Sequence, residues 1–136
     1  MANDSRNRKP VHPILGAVQV LTTGANGAYT AQIDTEFIAK LFVQLTSGGA
    51  TEYAVLPKAT ADTIGREIYI TVGSNGYELV TPESSGDTIN QVDADGTNQL
   101  DVAANTTVRL TQISATGWLA ETIAAATIAV TAPDND

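Results

Sequence analysis

In REIYITV, residues 66–72, every second residue from Ile68 is apolar: Ile68, Ile70 and Val72. A period of two puts these three on one face of a β-strand, whereas a helix would scatter them around its axis. The same pattern recurs in short runs separated by Gly, Asn, Ser and Pro. GAVQVLT places Val18 and Val20 on one face; TEYAVLP, YELVTP, TINQV, LDVA and TTVRLTQIS follow, the last alternating Val108, Leu110 and Ile113 imperfectly. Turn signals at roughly 8–12 residue spacing predict an all-β fold, an antiparallel β-sandwich or small barrel. With 136 residues the chain suffices for one such domain. The expected layout is an extended N-terminal arm over residues 1–16 and a single β-domain over residues 17–136.

Turn chemistry predicts hairpins. GANG joins GAVQVLT to AYTAQID across residues 17–34, SGGA joins FIAKLFVQLT to TEYAVLP, and SNG joins REIYITVG to YELVTP. Two stretches read both ways. Phe37, Leu41, Val43 and Leu45 fit a period of two, while Phe37, Ile38, Leu41 and Leu45 fit a helix capped by Asp34 or Thr35; the turn and strand that follow favour the strand. The run WLAETIAAATIAV, residues 118–130, is alanine-rich like a helix, yet Thr122, Ile123, Thr127, Ile128 and Val130 favour a strand. It stays open between the two.

Charge narrows the partners. The formal net charge is −8, but Arg6, Arg8 and Lys9 lie together in the first nine residues beside one acid, Asp4. From Pro10 onward only Lys40, Lys58, Arg66 and Arg109 are basic. Such a body repels phosphate backbones, so no nucleic-acid partner is expected. The arm, stiffened by Pro10 and Pro13 around His12, is either a solvated tail or a contact for an acidic surface. There is no cysteine, hence no disulfide, thiolate metal site or cysteine nucleophile. No apolar stretch approaches membrane-spanning length and no signal peptide is expected, so the product reads as soluble, with no membrane partner.

The order of signals from about residue 53 resembles a β-module of bacteriophage virion proteins. YAVLPKATADTIGREIYITV, YELVTPESSGDTINQ and LDVAANTTVRLTQISATGWLAE carry an LP-x-A turn at Leu56-Pro57, a glycine before a strand at Gly65, a GDTIN loop at Gly86-Asp87-Thr88-Ile89-Asn90 and a late Gly117-Trp118. These elements span about half the chain. They are similar to parts of tail fibres, head fibres and capsid decoration proteins. The resemblance implies a non-enzymatic structural protein: a capsid decoration (cement) protein made in the host cytoplasm, located on the virion surface and bound to the major capsid protein. It also implies self-association as a homotrimer. The alternative it implies is a head- or tail-fibre, or receptor-binding, module. Where the family often places Gly after the Asn, this chain has Gln91.

Three stretches invite chemistry. NQVDADGTNQLDV, residues 90–102, gathers Asp93, Asp95, Asn98 and Asp101 around Gly96. An EF-hand loop needs a ligand at its first position, Gly at its sixth and a bidentate acid at its twelfth. With Gly96 sixth, the first is Gln91 and the twelfth Val102, so both end ligands are missing. An irregular calcium site, as in a calcium-dependent sugar-binding module, is the weaker reading; a hairpin turn between TINQV and LDVA is the stronger. SSGDTIN offers Ser84, Ser85 and Asp87, but the single histidine, His12, sits in the arm, which argues against a triad; the stronger reading has Asp87 and Thr88 holding a turn by side-chain to backbone bonds. TSGGAT lacks the lysine and the helix of a phosphate loop. We therefore expect no catalytic residue, no metal and no cofactor. Trp118 is expected as a core plug or, less often, a partner contact. The candidate capsid or partner contacts are Arg6, Arg8, Lys9, Pro10, His12 and Trp118.

Overall fold

A computed structural model describes residues 16–94 and 96–124, and these are all-β. In chain order the strands are β1 Ala17–Thr22, β2 Lys40–Thr46, β3 Tyr53–Val55, β4 Glu67–Val72, β5 Tyr77–Val80, β6 Thr88–Ile89, β7 Gln99–Val102, β8 Thr107–Ser114 and β9 Gly117–Ala124, with one 3-10 turn at Ala61–Thr63. They form two sheets: a six-stranded one in the order β1-β2-β4-β8-β9-β6, and a three-stranded one in the order β3-β5-β7.

The chain winds between the sheets. It passes from β2 in the large sheet to β3 in the small one, back to β4, then to β5. Each pass returns to its own wall in parallel, so β1, β2 and β4 run parallel, as do β3 and β5. Ala17 lies beside Leu41 and Leu41 beside Ile68, returns of 24 and 27 residues; in the other wall Val55 lies beside Val80, a return of 25. Antiparallel pairing appears only later, as β7 joins β5 and β8 joins β4 and β9.

The antiparallel expectation is thus corrected: four of the seven strand pairings among the described residues are parallel. None of the hairpins expected at GANG, SGGA and SNG forms. Residues 28–34 form no strand; Gly24 and Gln32 make only isolated bridges to β3. The physical reason is that a Gly/Ser/Asn turn serves equally to reverse a strand in its own sheet or to carry the chain across to the opposite one. Alternation fixes which residues share a face, not which strand lies alongside.

The faces match the pattern in β2, β4 and β8, but not in β1, where the alternating Val18 and Val20 face outward and Gln19 and Leu21 turn inward. Leu41, Val43 and Leu45, then Ile68, Ile70 and Val72, then Val108 and Leu110 line the inside of the large sheet, against Ala54, Tyr77 and Leu79 of the small one, all buried. Burying each large side chain contributes about 1.5–3 kcal/mol. Phe37 is buried too, although the strand starts only at Lys40 and Ile38 is exposed; the Arg66 guanidinium lies 4.6 Å over its ring. In β8 the third inward position belongs to Gln112, so the period of two leaves Ile113 facing outward, next to a bulge between Gln112 and Ser114. The run from Trp118 is strand as far as Ala124, because β8 supplies the hydrogen-bonding ladder; residues 125–130 lie outside the described residues. Gly76, in the expected SNG turn, sits where a β-carbon would run into the Val102 carbonyl oxygen and the Ala103 backbone, so only glycine lets β5 and β7 close up.

Candidate functional site

The four elements of the resemblance meet in one place. Asp87 of the GDTIN loop is completely buried. Its carboxylate accepts a hydrogen bond from the Lys58 Nζ at 2.8 Å and from the Ala59 backbone N–H at 2.8 Å, which locks the LP-x-A turn onto the loop. Lys58 is half exposed, so the ammonium stays hydrated while it neutralises the buried charge. The Asp87 carbonyl accepts from the Asn98 amide at 2.7 Å, and the Asn98 side-chain oxygen accepts from the Ala94 N–H at 2.9 Å. The Asn98 N–H donates to the Thr81 hydroxyl at 2.8 Å.

The other side of the clasp runs through β9. Thr88 and Ile89 pair in parallel with Gly117 and Trp118, and the Asn90 side-chain oxygen accepts from the Ala120 N–H at 2.8 Å. Trp118 pairs with Gln112, which is buried. The Gln112 amide donates to the carbonyls of Thr60 and Ser114, its oxygen accepts from the Thr63 hydroxyl at 2.6 Å, and its backbone carbonyl accepts from the Gly65 N–H. Three loops distant in sequence are held by buried polar groups that are each partnered. In a low-dielectric interior such a network fixes one geometry, because any half-made version strands a donor or acceptor.

This arrangement spends its polar groups on architecture. Asp87 makes the turn-holding bonds its position suggests, but to a backbone 28 residues away and not locally. The Ser85 hydroxyl accepts from the Asp87 N–H, and the Ser84 N–H donates to the Thr97 hydroxyl. Lys58 and Gln112 escaped the sequence reading, which weighed Asn98 only within the 90–102 stretch and not as a partner of Asp87. Gln112 carried a signal: a polar side chain at the inward slot after Val108 and Leu110 must find buried partners.

Asn90 and Gln91 both hold left-handed backbone, at φ 53° and 66°, and the Val92 N–H closes the turn onto the Ile89 carbonyl. Two positive φ values mark a type I′ turn, in which glycine suits the second position. A non-glycine residue in left-handed backbone costs about 1–2 kcal/mol, partly offset by the greater unfolded-state entropy of glycine. Gln91→Gly is therefore expected to raise the melting temperature by a few degrees, as read by thermal circular dichroism.

The 90–102 stretch is a loop that leaves β6 in the large sheet and enters β7 in the small one, so the hairpin expected there is corrected: its turn chemistry serves a crossing between the sheets. The Asp93 carboxylate accepts from the Gly96 N–H at 3.2 Å, and Asp101 accepts from the Gln99 amide at 2.8 Å. Asp95 lies outside the described residues. Asp93 is thereby engaged in a local turn, and Asp101 faces outward from β7 across from Glu78. Chelator is expected to leave the melting temperature unchanged; a drop on adding EDTA that calcium restores would overturn the turn reading.

Glu78 and Asp101 face each other directly on β5 and β7. Desolvation, then the Asp101 charge, holds the Glu78 carboxyl above its usual range. A raised carboxyl takes up its proton sooner in the folded state, so this pair stabilises the fold at low pH and loses that contribution as pH rises through the carboxyl range. Like charges directly opposite cost about 0.2–1 kcal/mol. Glu78→Gln should therefore raise the melting temperature slightly at neutral pH, the gain shrinking in acid as the Glu78 carboxyl takes up its proton.

Trp118 is 1% exposed, so its ring is a core plug and the expectation of a partner contact there is corrected. A period of two from Ala120 inward explains it: the β8–β9 ladder turns position 118 to the core face. Neither its Nε1 nor the Tyr77 hydroxyl finds a hydrogen-bond partner among the described residues, and burial pushes the Tyr77 phenol up. The remaining contact candidates, Arg6, Arg8, Lys9, Pro10 and His12, lie outside the described residues.

No protein-family model, curated protein or solved structure matches this chain.

Proposed function

We propose that this chain is a non-enzymatic structural protein of a bacteriophage virion, a capsid decoration (cement) protein that binds the major capsid protein of the assembled head. The observation that carries the proposal is the clasp: the LP-x-A turn, Gly65, the GDTIN loop and Gly117-Trp118, the residues of the resemblance, all contribute to one buried network that fixes loop positions. Of the two architectures expected, sandwich and barrel, neither describes the winding well; we class the domain as a short two-walled β-solenoid closed by antiparallel strands.

The mechanism is linkage. A subunit that binds only the assembled shell stabilises that shell, by about 2.7 kcal/mol at a free concentration one hundred times its dissociation constant. As a homotrimer it would attach through three arms at once, and multivalency would make weak single contacts sufficient. Arg6, Arg8 and Lys9, with Pro10 and His12, are the proposed docking residues. Parallel winding also suits an extendable rod, so a head- or tail-fibre module is the second reading.

Sedimentation with purified empty capsids tests this. Saturable co-sedimentation and a higher capsid melting temperature are expected, both weakened by deleting residues 1–13 and by salt. A protein that stays in the supernatant at every concentration overturns the decoration reading and favours the fibre module.

A further inference from the structure

An exposed sheet edge presents unpaired N–H and C=O groups to any strand that can approach, and proteins usually blunt such edges with charge, shortness or a covering segment. Among the described residues the two sheets have four edges, and three are blunted. β6 is two residues long and covers only Gly117 and Trp118 of β9; on the rest of that edge the Ala120 N–H already donates to the Asn90 side chain and Glu121 adds a charge. β3 is covered by residues 24–33: Tyr53 and Gly24 exchange both backbone bonds, and Val55 bonds Ala31 and Ile33. β7 carries Asp101 opposite Glu78, so a second copy would bring more carboxylates to an already acidic row. The fourth, β1, is six residues long and reads AVQVLT, without a charge.

The outer face beside this edge is apolar. Val18 and Val20 are 65% and 75% exposed. Next to Val18 comes Phe42, stacked on Tyr69 with ring centres 5.0 Å apart. A cavity of about 360 Å³ opens there, lined by Val18, Phe42, Gln44, Tyr69, Thr71 and Thr107. The charges that border it are paired off: Lys40 with Glu67 and Arg109 with Glu121. In a chain of net charge −8, this is a face on which two copies meet without bringing like charges together. Apolar and aromatic residues with little charge are also what the centre of a contact between proteins requires.

We propose that the outer face at β1, centred on Val18, Val20, Phe42 and Tyr69, is the surface through which copies of this chain associate with one another. Only the number of copies, three, rests on the function proposed above; the surface stands on its own. Several copies placing Val18 and Val20 toward a common axis would bury the valines and cover the open edge.

Sedimentation equilibrium of the full chain decides it, comparing wild type with V18K/V20K and with I64K, which alters an exposed isoleucine (54%) elsewhere. Val18 and Val20 lie outside the core, so the double variant keeps the wild-type circular dichroism spectrum. The expected result is an oligomeric wild type and I64K, and a monomeric V18K/V20K, with the dissociation constant raised at least 100-fold. An oligomer that V18K/V20K leaves intact overturns the surface while sparing the oligomer. A wild type that is monomeric at about 50 μM overturns the inference. So does a monomer whose V18K/V20K variant loses capsid binding, since the face would then belong to the shell. Either monomeric result leaves the decoration role to the capsid experiment.

Discussion

Replacing Trp118 by alanine is expected to bring the protein close to unfolding at physiological temperature. Trp118 is the single tryptophan and the largest fully buried side chain, and it packs within the cluster formed by both sheets. Truncating a buried tryptophan to alanine costs about 3–5 kcal/mol, from lost transfer energy and the cavity left behind. A domain of this size holds about 5–15 kcal/mol in all. For a chain of this length the melting temperature should fall by roughly 10–20 °C. Trp118→Phe should cost distinctly less, because it keeps most of the apolar area and removes an N–H that finds no partner among the described residues. Thermal circular dichroism of both variants gives the comparison. If Trp118 acted as a surface contact, alanine would leave stability intact and weaken only assembly, and that result would contradict the packing described above.

Asp87→Ala is expected to cost about 2–4 kcal/mol, since it leaves the buried Ala59 N–H without its acceptor and breaks the link between two loops. That corresponds to a fall of roughly 10 °C. Lys58→Met should cost less than Asp87→Ala, because half of Lys58 already faces water. Asn98→Ala should be comparable to Asp87→Ala, as it strips partners from the Ala94 N–H and the Asp87 carbonyl. The two alanine substitutions touch the same loop, so the double variant should lose less than the sum of the singles, by about 0.5–3 kcal/mol of coupling. Strict additivity in urea unfolding would mean that the clasp is a set of separate bonds and not a network. A catalytic aspartate would behave differently: its removal would abolish a turnover while sparing, or even raising, stability.

Several properties were settled by the residue order alone. The period of two at Ile68-Ile70-Val72 and Val108-Leu110 is dictated by backbone geometry, so strand state and a shared face follow without knowledge of any partner. Leu41-Val43-Leu45 needed the turn and strand after it to exclude a helix, and Val18 and Val20 share a face that packing left exposed. The choice of Asp87 as a loop-holding residue was equally legible, because a carboxylate beside glycine and serine is suited to capturing backbone N–H groups. Strand partners were not legible. SGGA and SNG have the chemistry of hairpin turns, yet here they carry the chain across the core, and what selects the crossing is the shared burial of Ile68, Ile70 and Val72 against Tyr77 and Leu79 on opposite walls. The clasp was hidden for the same reason: Lys58 lies 29 residues from Asp87, and Gln112 lies 52 from Thr60. Local chemistry sets what a residue can do, whereas the identity of its partner is decided by packing between segments far apart in the chain. Trp118 shows both halves at once. Its size made it a core candidate from the start, but only the β8–β9 register turned it inward.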